Sequence, residues 1–250
     1  MNVAKTAARE MVRHVIYKTG TYNLITWFRH WKEGRTSGHL NGADLKSRFQ
    51  AIYDTGVWQH GHDEATPGSG AGSSLAATAP LREALPALLN ALDARTLLDV
   101  GCGDFSWMQH VAIAQNYVGV DVVEAVIAMN TRLYGQPGRT FVTADATVDD
   151  LPEADVVLCR EVMFHLSFAD IRKLLRNVLS SKRAYLIATS DRLTTFNSDI
   201  PSGDFRLLNM VAWPLKFPQP DHVIDDSAVF PRRIIGVWDV KRLGDALRMQ

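Results

Sequence analysis

Five short apolar runs recur along this chain, each bounded by turn residues: TLLDV at 96–100, YVGV at 117–120, TFVTA at 140–144, DVVLC at 155–159 and AYLIAT at 184–189. Between them lie segments of helical period, at about 106–114, 122–134 and 168–180. The last reads FADIRKLLRNVLS and puts Ile171, Leu174, Leu175, Val178 and Leu179 on one face. Runs that are apolar throughout belong to strands buried on both faces. Alternating with helices at this spacing, they require right-handed crossovers and a parallel sheet. Another helix is expected at about 79–92, where Leu81, Leu85, Leu88, Leu89 and Leu92 keep helical spacing around a kink at Pro86. RRIIGVWDVKRL, from 232, has the pattern of a late antiparallel strand.

With 250 residues, 46% of them hydrophobic and 22% charged, the chain can bury one large core. Its 27 basic and 27 acidic side chains cancel, so no overall field draws it to nucleic acid. The balance is uneven, however: residues 1–48 hold nine Lys/Arg and three Asp/Glu. Residues 1–32 interleave Lys5, Arg9, Arg13 and Lys18 with Val12, Ile16, Leu24, Ile25, Trp27, Phe28 and Trp31. An amphipathic helix of this kind covers its own domain's core, packs on a partner or lies in a membrane interface. Residues 1–52 are therefore read as a basic, amphipathic helical extension and 53–250 as the main domain. Cys102 and Cys159 sit in a loop and at a strand end, which suits a reducing cytoplasm better than a disulfide. No run approaches the roughly 18 apolar residues needed to span a bilayer. The expected location is cytoplasmic, with a peripheral contact on the inner face of the membrane through 1–32.

In a doubly wound sheet, ligands sit beyond the carboxyl ends of the strands. The loop there is GCGDFS after the first run, and Asp121 ends the second run 20 residues after Gly101. Glycines that admit a ligand to the backbone, with an acid for ribose hydroxyls, serve nicotinamide enzymes and S-adenosylmethionine enzymes alike. Charge separates the two. Asp99 precedes the loop and Asp104 lies inside it, and carboxylates repel a pyrophosphate but favour a sulfonium and an ammonium. The third run ends in TADAT, which puts Asp145 where an adenine amino group can donate to it.

LLDVGCGDFSWM, VGVDVVEAVI, FVTADA and DVVLCREVMFHLS resemble, in order and spacing, the motifs of class I S-adenosylmethionine-dependent methyltransferases over residues 96 to about 190. GSGAGSS, LREALPALL, FNSDIPSGDFRLLN and FPQP extend the resemblance, from about 53 to the C-terminus, to a bacterial subgroup of unassigned substrate. The resemblance implies a Rossmann-like α/β fold: a seven-stranded, mostly parallel sheet with helices on both faces. It implies S-adenosyl-L-methionine as cofactor and S-adenosyl-L-homocysteine as product. Gly101 and Gly103 would line the methionine portion, with Asp99 supporting the loop and the ammonium contact. Asp121 would hold the ribose, Val122 would pack on the adenine, and Asp145 with the Ala146 amide would read the adenine edge. Phe105 stands where many members have a third glycine, so an aromatic edge is expected against the adenosine.

The remaining site residues are read from position and chemistry. Trp58 lies in the segment 53–74, which ends in a glycine-serine stretch and could close over the donor. Arg160 could pair with a carboxylate of the donor. A hydroxyl acceptor must lose a proton, and His165, four residues after Glu161, is the candidate base, with Glu161 to orient the imidazole or to receive a substrate hydroxyl. Tyr53, with Arg206 and Asn209 from the polar stretch 189–209, is expected at the acceptor. His60, His62, Asp63 and Glu64 fall in one short run with no second half, so no metal site is expected. The chain thus reads as an O-methyltransferase acting on a polar small molecule or glycan, a lipid-linked one if 1–32 binds a membrane; a homodimer is compatible with it. Three other readings stay open: N-methylation of a small amine, binding of S-adenosylmethionine without turnover, and a nicotinamide oxidoreductase.

Overall fold

The computed structural model describes residues 37–59, 66–180, 183–227 and 230–248, with isolated positions 8, 11, 12, 15, 28 and 31 before them. The amphipathic segment expected at 1–32 and the His60, His62, Asp63 and Glu64 run otherwise lie outside the described residues.

Seven strands form one sheet in the order β3-β2-β1-β4-β5-β7-β6. They are β1 (Thr96–Val100), β2 (Asn116–Asp121), β3 (Arg139–Thr143), β4 (Val156–Cys159), β5 (Tyr185–Asp191), β6 (His222–Asp225) and β7 (Arg233–Asp239). The first five are parallel, while β7 runs antiparallel to both β5 and β6. The five apolar runs and the late strand fall where the sequence places them. The seventh strand, β6, carries no apolar run because it is an edge strand with three of its four residues exposed.

Strand periodicity divides the core in two. On β1, Leu98 and Val100 pack into one apolar cluster and Leu97 into the other. The first cluster is covered by α4 (Phe168–Leu179) and α5 (Val240–Arg248), through Ile171, Leu174, Leu175, Val178 and Leu243. The second is covered by α2 (Leu75–Ala91), whose Leu81, Leu85 and Leu89 are all fully buried. Each of those leucines contributes about 2 kcal/mol by leaving water. Ser74 caps α2 by accepting from the Ala77 amide, so this helix begins four residues before the expected 79, with Pro80 and Pro86 both inside it. α3 (Glu124–Tyr134) follows β2.

Two local expectations are corrected. Only a 3₁₀ turn, Met108–His110, forms where a helix was expected at 106–114. Phe105, Trp107 and Met108 are all buried, and the chain must turn back to β2 at Asn116 within eight residues of Met108, which leaves no length for a longer helix and its return. The boundary between 52 and 53 falls inside α1 (Leu45–Thr55), a helix capped by the reciprocal Asp44–Ser47 pair and stopped by Gly56 at φ 62. Both cysteines are buried and unbridged. Among the described residues, no helix is long and apolar enough to cross a membrane.

The Leu85→Ala variant should lose about 3 kcal/mol of stability, because α2 cannot collapse into the space left against the sheet. Urea unfolding measures this as a lower midpoint at unchanged slope; a loss well under about 1 kcal/mol contradicts the packing described.

Candidate active site

The carboxyl ends of β1, β2, β3 and β4 open into a cleft lined by Asp99, Gly101, Gly103, Asp121, Val122, Asp145, Ala146, Arg160, Glu161 and His165. α1 and the turn after it add Leu45, Phe49, Tyr53 and Trp58 from above. The glycine loop is fixed from two sides. Gly101 and Cys102 donate backbone N–H groups to the Val120 carbonyl, and the Gly103 amide donates to Asp121 Oδ2 at 3.1 Å. Buried Asn130, on α3, donates to the Gly103 carbonyl at 2.7 Å. Gly101 and Gly103 adopt φ 73 and 56, and a Cβ on Gly101 would lie 2.3 Å from Val162 Cγ2. Any side chain there would block the turn as well as strain it.

Phe105 corrects the expectation of an aromatic edge on the adenosine. Its ring is 1% exposed and turned into the core, against Tyr117 at 5.2 Å, Tyr134 at 5.0 Å and Phe141 at 5.2 Å. Reaching that pocket places its backbone at φ 57, a left-handed conformation a phenylalanine rarely adopts. Asp104, which the sequence offers only as a negative charge, is a latch. Its Oδ1 accepts from Ser69 Oγ at 2.7 Å and its Oδ2 from the Ser69 amide at 3.3 Å. The glycine-serine stretch is therefore tied onto the glycine loop. Arg160 ties its other end by donating to the Gly72 carbonyl at 2.8 Å.

Asp121 has both oxygens in use, Oδ2 for Gly103 and Oδ1 for the Val123 amide at 3.0 Å, so it braces the loop while facing the cleft. Burial pushes its pKa up, against these amide donors. Asp145 Oδ1 accepts from the Thr147 amide and hydroxyl, in a tight turn beneath the cleft's far end. Asp99 is 3% exposed and accepts from the Tyr117 phenol at 2.7 Å. Burial raises its pKa to about 7, opposed by that phenol and by Arg160.

Several expected partners are rearranged. Glu161 does not orient His165: its Oε2 pairs with Arg233 at 3.0 Å. The imidazole is held instead by Nδ1 against the Asp204 carbonyl at 3.0 Å. Arg160 lines the cleft, but its guanidinium is turned to Gly72, to Asp226 at 3.6 Å and over the Trp107 ring at 5.6 Å. Tyr53, expected at the acceptor, lies over the glycine loop, where a Cβ on Gly103 would meet its hydroxyl at 3.4 Å. Trp58, expected over the donor, packs on His165 with ring centroids 5.1 Å apart.

Arg206 and Asn209 do not line the cleft. Arg206 is fully buried, donates to the Leu166 carbonyl and stacks over Phe168. Asn209 and Asn197 lock the 189–209 stretch onto itself: Asn197 Oδ1 accepts from the Asn209 amide, and Asn209 Nδ2 donates to the Thr194 carbonyl. Among the described residues, no cluster of His, Cys, Asp or Glu could hold a metal ion.

A cleft with two left-handed glycines, the Asp121 carboxylate on its wall and carboxylates rather than bare amides at the loop fits a phosphate-free, cationic adenosyl ligand. Comparison with known proteins agrees: residues 98–182 match the family model described as a methyltransferase domain. The matched region, about a third of the chain, is similar to methyltransferase domains, and S-adenosylmethionine is the cofactor that this match implies. The fold is shared with the S-adenosylmethionine-bound magnesium protoporphyrin IX methyltransferase of Synechocystis PCC 6803, at 15% identity and TM-score 0.50 over 80% of this chain and 99% of that one. Human N-acetylserotonin methyltransferase with S-adenosylmethionine aligns at 12% identity and TM-score 0.47, over 78% of this chain and 55% of that chain, so this protein spans about half of the human enzyme. No curated protein matches the sequence.

Asp104→Ala should free the 66–74 segment and weaken binding of S-adenosylhomocysteine about tenfold, since both hydrogen bonds from Ser69 to the carboxylate are lost, along with that from the Ser106 amide. Calorimetry reads the affinity, and hydrogen exchange should show faster exchange in this segment and at the Ser106 amide. Unchanged exchange at 66–74 contradicts the latch.

Proposed function

We propose that the protein transfers the methyl group of S-adenosylmethionine to a ring-borne hydroxyl of a polar small molecule or glycan, with His165 as general base. The observation that carries this reading is the hydrogen bond between His165 Nδ1 and the Asp204 carbonyl. A carbonyl has no proton to give, so Nδ1 carries the ring's proton and Nε2 keeps its lone pair. Burial also lowers the imidazole's pKa, which favours that neutral form near pH 7. Trp58 on one side and Phe205 at 5.5 Å on the other limit water around the ring.

S-adenosylmethionine supplies an electrophilic methyl on a good leaving group, so the protein's task is alignment and proton removal. His165 Nε2 takes the hydroxyl proton as the oxygen's electron pair forms the new bond to carbon, and the carbon–sulfur pair stays with sulfur. The glycine loop, Asp121 and Tyr53 hold the donor end. At the acceptor end, recognition rests on ring faces, because Arg206 and Asn209 are committed to the protein's own backbone. Phe205, 44% exposed beside His165, and Trp58 offer such faces to the carbon–hydrogen side of a sugar or to an aromatic ring.

The test is transfer of labelled methyl from S-adenosylmethionine to a panel of methyl glycosides, phenols and matching amines. Label in the ring hydroxyls supports the proposal, and label in amines alone contradicts it. At saturating donor, kcat should fall as pH drops through the depressed pKa of His165, below the usual 6.5, as the base becomes protonated. His165→Ala should remove that acid limb and lower kcat at least about 100-fold. A fall of under about threefold, with the limb intact, contradicts His165 as base.

A further inference from the structure

Asp99 faces the donor cleft from β1, yet the group that holds it comes from the neighbouring strand. Tyr117 pairs with Leu97 in the β1–β2 register, and Asp99 stands two residues further along the same face of β1. Gly119 is the register partner of Asp99 and carries no side chain, so the phenol runs along the sheet to Asp99 Oδ2. Phe105 and Phe141 pack on the phenol ring, at 5.2 and 5.8 Å, and fix its direction. Among the described residues, Tyr117 is the hydrogen-bond donor to Asp99. Neither residue can be solvated by bulk water: Tyr117 is 2% exposed and Asp99 3%.

We propose that Tyr117 is a positioning residue of the donor site, whose phenol fixes the direction of the Asp99 carboxyl beneath the glycine loop so that it meets the donor's ammonium. The inference rests on the donor-site reading and adds to it a proton coupled to recognition of the amino-acid portion. A buried carboxyl with one neutral donor is protonated far more readily than one in water, and a cation arriving beside it reverses that. The groups around it do not titrate in the same way. Burial keeps the Tyr117 phenol and the Cys102 thiol protonated, and holds Cys159, on β4, at about 12. Arg160 supplies positive charge, and Asp121 negative charge, across the loop. In the donor-site reading Asp121 would face the ribose, which every adenosyl ligand carries, whereas Asp99 would meet only the amino-acid end.

That division sets the experiment. Binding of S-adenosylhomocysteine and of 5′-methylthioadenosine, which lacks the amino-acid portion, is measured by calorimetry from pH 6 to pH 8. In the wild-type protein, the ratio of the two affinities should rise in favour of S-adenosylhomocysteine as Asp99 loses its proton, up to about tenfold between these limits. Tyr117→Phe removes a hydrogen bond that favours the charged carboxylate, so the rise should move to higher pH and the ratio at pH 7 should drop about tenfold. Asp99→Asn keeps an acceptor for the phenol and should flatten the ratio across the whole range. If Tyr117→Phe weakens both ligands equally with no displacement along pH, Tyr117 only fills space and the proposal fails. If the wild-type protein binds 5′-methylthioadenosine but gains nothing from the amino-acid portion at any pH, Asp99 has no ammonium contact and the proposal fails while the adenosyl site stands. Binding of neither ligand overturns the donor-site reading and this role with it.

Discussion

The site depends on one hydrogen bond from the glycine loop to the next strand: the Gly103 amide donating to the Asp121 carboxylate, 3.1 Å away at the end of β2. It turns the loop after β1 toward its neighbour and spends a donor that a phosphate-binding loop would keep for its ligand. With Gly101 and Cys102 bonded to Val120 and Asn130 bonded to the Gly103 carbonyl, the loop is braced before any ligand arrives. Asp104 then fastens the glycine-serine segment over it. The same carboxylates that hold the loop define what it can bind.

Burial governs the chemistry around that loop. Arg160, Glu161, Asp226 and Arg233 form an enclosed group of two positive and two negative side chains at the ends of β4 and β7. Charges taken out of water are costly unless paired, and here they compensate one another rather than add stability. Asp226 shows the strain of the arrangement: burial raises its pKa to about 6 in spite of Arg160 and Arg233. The two arginines serve position. Arg160 holds Gly72, and Arg233 takes Glu161 away from His165, leaving the imidazole's tautomer to the Asp204 carbonyl.

The sequence made the sheet readable because its strands are buried on both faces and its helices are not. Runs such as DVVLC and FADIRKLLRNVLS cannot be exchanged without exposing apolar surface. Edge strand β6 left no such trace. α1 did leave one, in Leu45, Phe49, Ile52 and Tyr53 at helical spacing after the Asp44–Ser47 cap, within a stretch otherwise read as extension and lid. Residues tied to the glycine loop were legible because chemistry and spacing both constrain them. Arg206 and Asn209 were not, since a polar loop that binds a ligand and one that satisfies its own backbone have the same composition. Tyr117 and Asn130 were invisible for a related reason: one acts from the neighbouring strand and the other from the following helix, through contacts only the fold creates.

The central claim is that this loop selects a cationic adenosyl ligand over a dinucleotide. Titrating the protein with S-adenosylmethionine, S-adenosylhomocysteine and NADH, and repeating each with Asp121→Ala, tests it most directly. The account predicts binding of both adenosyl ligands, lost in the variant, with no binding of NADH at the same concentrations. Binding of NADH as tight as that of S-adenosylhomocysteine would contradict it.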